Sequence, residues 1–125
     1  MTSIPDILAM GPVMPVIVID DSSKAVPLAR ALIDGGIRTI EITLRTPAAL
    51  ESIRAVANAC PDILIGAGTV TNAALAASAR DAGARFLVSP GTTDAVIKGA
   101  ADAGLPLLPG AASLSEIMRL MDVGF

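Results

Sequence analysis

The feature that most restricts this chain is a five-fold alternation of short apolar runs and Ala/Leu-rich helical stretches. The runs are Val13–Ile19, Thr39–Thr43, Ile63–Gly66, Phe86–Ser89 and Pro106–Pro109. Between successive starts there is room for one strand, a helix of about three turns and two short loops. Continuous rather than alternating apolar character predicts strands covered on both faces. Strands that alternate with helices through short connections predict a mostly parallel sheet with right-handed crossovers. The 125 residues suit one domain spanning 1–125, about half of what a closed eight-stranded barrel uses. Five units therefore fit either five-eighths of a (β/α) barrel or a complete five-stranded flavodoxin-like sheet.

Helix ends are marked along the chain. A short helix is expected within the first ten residues. Asp21-Ser22-Ser23 precedes a helix over Lys24–Leu32 that Gly35-Gly36 stops. Thr46-Pro47 reads as an N-cap followed by proline, opening Ala48–Ala59. Asn72 or Thr71 caps Ala73–Asp81, and Thr92 or Thr93 caps Ala95–Ala101. Ser113 or Ser115 opens a last helix with Leu114, Ile117, Met118 and Met121 on one face. Three joins share an Asp-x-Gly pattern (Asp34-Gly35-Gly36, Asp81-Ala82-Gly83, Asp102-Ala103-Gly104), which a helix C-cap glycine explains without any function.

Composition narrows the function classes. The net charge is −3, and the nine Lys and Arg are dispersed, unlike a nucleic-acid surface. Aromatics are 2% of the chain, too few for a base-stacking platform. No apolar stretch is long enough for a membrane span. The start of the chain has no basic region followed by an apolar core, so a cytosolic setting is expected. Cys60, the single cysteine, follows an apolar helix face and reads as a core thiol. With no histidine, the commonest metal ligand and proton shuttle is missing, so any catalysis must use other groups.

In either architecture, chemistry belongs at the carboxyl ends of the strands. Glu41 sits between Ile40 and Ile42, where an unpaired carboxylate is costly to bury. It is either held by Arg45 or Arg38 for structural reasons, or it is a general acid/base facing a cavity. Arg45 carries a fork suited to a carboxylate ligand. Gly66-Ala67-Gly68-Thr69-Val70 reads as a small-residue loop whose N–H groups and Thr69 hydroxyl could take an anion. Ser89-Pro90-Gly91 and Leu108-Pro109-Gly110 read as tight turns that wall the same end. Lys24 and Lys98, the only lysines, lie in solvent-facing helical patterns, unsuited to Schiff-base chemistry.

These motifs, in this order, resemble the amino-terminal part of the bacterial 2-keto-3-deoxy-6-phosphogluconate and 4-hydroxy-2-oxoglutarate aldolases. The matching segments are 12–18, 35–46, 65–70, 84–91 and 107–110. The resemblance implies a class I aldolase on an eight-stranded α/β barrel, assembled as a homotrimer and free of metal. It implies cleavage of the phosphorylated sugar acid to pyruvate and glyceraldehyde 3-phosphate through a lysine Schiff base. Glu41 matches the family's catalytic acid/base, Arg45 and Thr69 match residues that hold the pyruvate carboxylate, and Pro90 matches a residue lining that pocket. The family's lysine lies on a sixth strand, after a helix resembling residues 120–125, and neither Lys24 nor Lys98 matches it. The 125 residues alone are therefore expected to be inactive, and a complementing carboxyl-terminal half is a candidate partner. The remaining expectations are a non-catalytic flavodoxin-like binding domain and a half-barrel that self-associates through open edges.

Overall fold

The computed structural model describes residues 3–125. It begins with α1 (Ile4–Ala9), β1 (Val16–Ile17), a 3-10 turn (Ser22–Lys24) and α2 (Ala25–Asp34). Next come β2 (Thr39–Thr43), α3 (Ala49–Ala59), β3 (Leu64–Gly68) and α4 (Ala73–Ala82). The rest is β4 (Phe86–Ser89), α5 (Asp94–Ala103), β5 (Leu107–Pro109) and α6 (Leu114–Asp122). The five strands form one parallel sheet in the order β1-β2-β3-β4-β5. That order decides between the two expected architectures. A flavodoxin-like sheet reverses direction at a switch point and carries helices on both faces. Here every crossover steps the same way, so right-handedness places the crossover helices on one face. The sheet is the wall of an α/β barrel, not a doubly wound domain.

The residues account for that layering. Ile40, Ile42, Ile65, Ala67, Leu87 and Leu107 point outward and share one buried core with the alanine-rich faces of α2 to α5. Small residues permit close helix approach: a Cβ at Gly99 in α5 would lie 2.6 Å from the Cα of Ala73 in α4. Cys60 is buried in the same core, as expected. By the two-residue period of a strand, Thr39, Glu41 and Thr43 point the opposite way, toward the barrel interior.

Several sequence signals play out as expected. Asn72, Thr93 and Ser113 accept hydrogen bonds from first-turn amides, and Ser113 forms a capping box with Glu116. Gly83 (φ 99°) and Gly104 (φ 68°) close their helices in the left-handed conformation. Others do not. Thr46 caps nothing: α3 starts at Ala49 after Ala48, and the Thr46 hydroxyl donates instead to the Ile19 carbonyl. The Thr43 hydroxyl donates to the Ile17 carbonyl at 3.0 Å, so β2 and the loop after it tie down β1 and the segment that follows it by two side chains. Those bonds matter because the ladder of β1 is only Val16–Ile17, far shorter than the apolar run 13–19. β1 is an edge strand, and prolines 12 and 15 supply no amide to extend it.

Coverage on both faces fails at the two margins of the sheet. Val13, Val16 and Val18 are exposed at the β1 edge. At the other margin, the apolar stripe of α6 (Leu114, Ile117, Met118, Met121) is exposed. Among the described residues, no helix is long and apolar enough to cross a membrane.

Candidate active site at the strand carboxyl ends

Glu41 is carried on β2, and its residue is only 6% exposed. Among the described residues its carboxylate has no ion pair, and Arg38 donates to the Ile33 carbonyl instead. The purely structural explanation for a carboxylate here, a salt bridge, is therefore absent. Burial pushes the Glu41 carboxyl above its ordinary value, and the Arg45 guanidinium pulls it partly back. A carboxyl with a raised pKa and no fixed partner is better suited than an ordinary carboxylate to taking up and returning a proton.

Room for this side chain comes from β3. The expected small-residue loop is mostly strand: β3 runs through Gly68, paired Thr43 to Gly68 with β2. Gly66, Ala67 and Gly68 are small because of what lies over them, not because the backbone turns. A Cβ on Gly68 would stand 1.7 Å from Glu41 Oε1 and 2.6 Å from its Cδ. The glycine is a recess for the carboxylate. The glycine-x-glycine spacing, which repeats the strand period, was the available signal for this.

At the rim above, Arg45 Nε donates to Thr69 Oγ1 at 3.1 Å. Arg45 is exposed and Thr69 half-buried, so the remaining guanidinium N–H groups stay available to a ligand. Thr69 has φ 60°, the one non-glycine residue in the left-handed region among those described. A β-branched residue is strained there by about 1–3 kcal/mol, and such strain collects at functional sites. The backbone thus holds the Thr69 hydroxyl where Arg45 reaches it. Arg45→Lys should break this bond and the planar fork together. A roughly tenfold weaker binding of a small carboxylate at this rim, read by NMR titration, is the expected result.

Pro90 lies exposed at the end of β4, on the same rim. No hydrogen bond joins it to Glu41, Arg45 or Thr69 among the described residues. Its turn is rigid for other reasons. The Ser89 hydroxyl donates to the Gly91 carbonyl, and Thr92 Oγ1 donates to the Gly110 carbonyl at 2.9 Å. A Cβ on Gly110 would lie 2.4 Å from the Ser89 carbonyl oxygen and 2.5 Å from that of Pro90. Both obstacles are backbone, so Gly110→Ala should destabilise the chain by about 1–3 kcal/mol, measurable by urea denaturation.

Lys24 and Lys98 are far from this chemistry in kind. Lys98 Nζ pairs with Asp102 at 2.5 Å and Lys24 Nζ lies 4.0 Å from Asp21, all on exposed surface. Neither amine is desolvated in the way a Schiff-base lysine requires.

A profile of the family described as KDPG and KHG aldolase matches residues 4–125. The chain is 52% identical over 120 residues to the 2-dehydro-3-deoxy-phosphogluconate aldolase of Pseudoalteromonas atlantica, covering 96% of this chain and 56% of that protein. It is 47% identical over 123 residues to the KHG/KDPG aldolase of Escherichia coli, covering 98% and 58%. Among solved structures, it superposes with a TM-score of 0.91 at 44% identity on a KDPG aldolase from Legionella pneumophila. That enzyme holds pyruvate captured as a covalent carbinolamine; 96% of this chain and 58% of that one are covered. An aldolase of Zymomonas mobilis gives 0.93 at 43% identity, covering 98% and 59%. The chain thus spans a little over half the length of these relatives. Over that span sequence and fold both match, and the chain belongs to the KDPG and KHG aldolase family.

Proposed function

We propose that these residues form one partial (β/α) barrel domain, 1–125, supplying the acid/base and carboxylate-binding parts of a class I aldolase site. The reaction is cleavage of 2-keto-3-deoxy-6-phosphogluconate to pyruvate and glyceraldehyde 3-phosphate, and of 4-hydroxy-2-oxoglutarate to pyruvate and glyoxylate. The observation that carries this reading is the unpaired Glu41 carboxylate, recessed over Gly68 directly below the Arg45–Thr69 pair.

The chemistry follows from those positions. An oxoacid whose carboxylate is gripped by Arg45 and the Thr69 hydroxyl presents its C2 carbonyl toward the barrel interior. Attack by an amine on that carbonyl makes a carbinolamine, and loss of water makes the iminium; Glu41 delivers the proton that lets the water leave. Glu41, now ionised, then takes the proton of the C4 hydroxyl. The C3–C4 bond breaks, its electrons pass to the iminium, and the aldehyde departs. Protonation of the resulting enamine at C3 and hydrolysis release pyruvate. Pro90 serves as apolar wall on the same rim.

In this reading the amine lies outside residues 1–125, on a partner half or a continuation of the barrel. The exposed β1 and α6 margins support completion of this kind, with a homotrimer as the expected assembly of the whole enzyme. A cytosolic setting belongs to the same proposal. The test is borohydride trapping with labelled pyruvate. The 125-residue chain alone should give no adduct, and retro-aldol turnover should appear when a chain carrying the remaining strands is added. A stable adduct on Lys24 or Lys98 overturns the assignment.

A further inference from the structure

Phe86 is the one fully buried aromatic side chain, yet it stands outside the core shared by the sheet and its helices. It lies on the barrel's inward face. The strand register gives it a definite neighbourhood: Val16, Glu41, Gly66 and Phe86 form one row across four strands. Gly66 separates the carboxylate-bearing residue from the ring and has no side chain. A Cβ there would lie 2.3 Å from Cε2 and Cζ of Phe86, so the ring occupies the space that Gly66 leaves. One turn of the pleat onward, Gly68 leaves the space that Glu41 Oε1 occupies. The two glycines thus admit a ring and a carboxylate side by side on one face of β3.

We infer that Phe86 is a positioning residue for Glu41: its ring, seated over Gly66, is the apolar wall that holds the Glu41 side chain over Gly68 and keeps water from its lower side. This deepens the aldolase reading and rests on it for its catalytic meaning. A rigid ring with no hydrogen-bonding atom excludes water from that side without offering the carboxyl a competing partner. It explains why a chain with two phenylalanines in 125 residues buries one here. It also gives a geometric source for the raised Glu41 pKa. Other charges are few. β1, β3, β4 and β5 carry no ionisable side chain, and Arg45 on the rim is the charge that acts on Glu41. Asp20, Asp62 and Arg85 flank those strands outside their ladders and are exposed.

The test is a pH titration of the Glu41 carboxyl carbon by NMR in glutamate-labelled chain, assigned by its loss in Glu41→Gln. In Phe86→Leu, more than half of the elevation of the Glu41 midpoint should be lost. Phe86→Met, which keeps the apolar volume, should retain most of it. Gly66→Ala keeps Phe86 but forces the ring away, so its midpoint should fall as well; this variant stands in if Phe86→Leu fails to fold. An unchanged midpoint in Gly66→Ala and in any folded Phe86→Leu overturns the proposal and leaves the aldolase reading intact. Turnover of the completed barrel that survives Glu41→Gln removes the aldolase role of Glu41 while the titration still decides the role of Phe86.

Discussion

Glu41→Gln is expected to lower retro-aldol turnover of the completed barrel about 10²–10⁴-fold, the range for losing a positioned acid/base. Gln keeps the shape of Glu41 and its fit over Gly68 but cannot exchange a proton. The loss should fall on kcat, with KM nearly unchanged, since Arg45 and Thr69 still hold the substrate. The same variant should gain stability. The Glu41 pKa is raised on folding by burial, so the folded state holds the proton more tightly than the unfolded state. Glu41 therefore favours folding fully only below its ordinary value, and this is lost as pH rises through the folded-state value. Above the folded-state value the native chain carries an ion in a poorly hydrated place, which Gln removes. Denaturation midpoints of Glu41→Gln should exceed those of the native chain at pH 7 and converge with them near pH 4. Equal turnover, or equal stability at both pH values, would contradict the role given to burial.

In the completed barrel, Gly68→Ala should cost on the order of 10²-fold in kcat without removing any polar group. The added Cβ would occupy the position of the Glu41 carboxylate, 1.7 Å from Oε1 and 2.8 Å from Cγ. Because the obstacle is the end of a flexible side chain, Glu41 can swing away and the fold should survive. A displacement of about 1 Å or more at a proton-transferring group is enough for a loss of this size. Circular dichroism should be unchanged while turnover falls. Normal turnover with Ala at 68 would show that the recess over Gly68 is not where Glu41 works.

These two residues also mark how far the chain could be read in one dimension. Glu41 was visible at once, because a lone carboxylate within an apolar strand demands a reason. Gly68 is as visible, but Gly66-Ala67-Gly68 reads as a loop, since small residues in a row are the usual sign of one. Only the pairing of Thr43 with Gly68 shows that the strand continues and that the glycine faces Glu41. Thr46 departs from its sequence signal for a related reason. Thr-Pro is a strong capping signal in isolation, but its hydroxyl found the Ile19 carbonyl, a partner 27 residues away.

Local sequence is enough for the class of this protein. Periodicity, caps and the run of apolar segments set five β/α units, and the ordered motifs around Glu41, Arg45 and Thr69 pointed to the aldolase family. These are local properties, written in neighbouring residues. Whether five units wind into a doubly wound sheet or a barrel wall was decided only by tertiary structure, because strand order depends on long-range pairing. The same holds for which charge escapes pairing and which glycine receives which side chain. Burial and register are properties of strands brought together from distant parts of the chain, and the raised pKa of Glu41 follows from both.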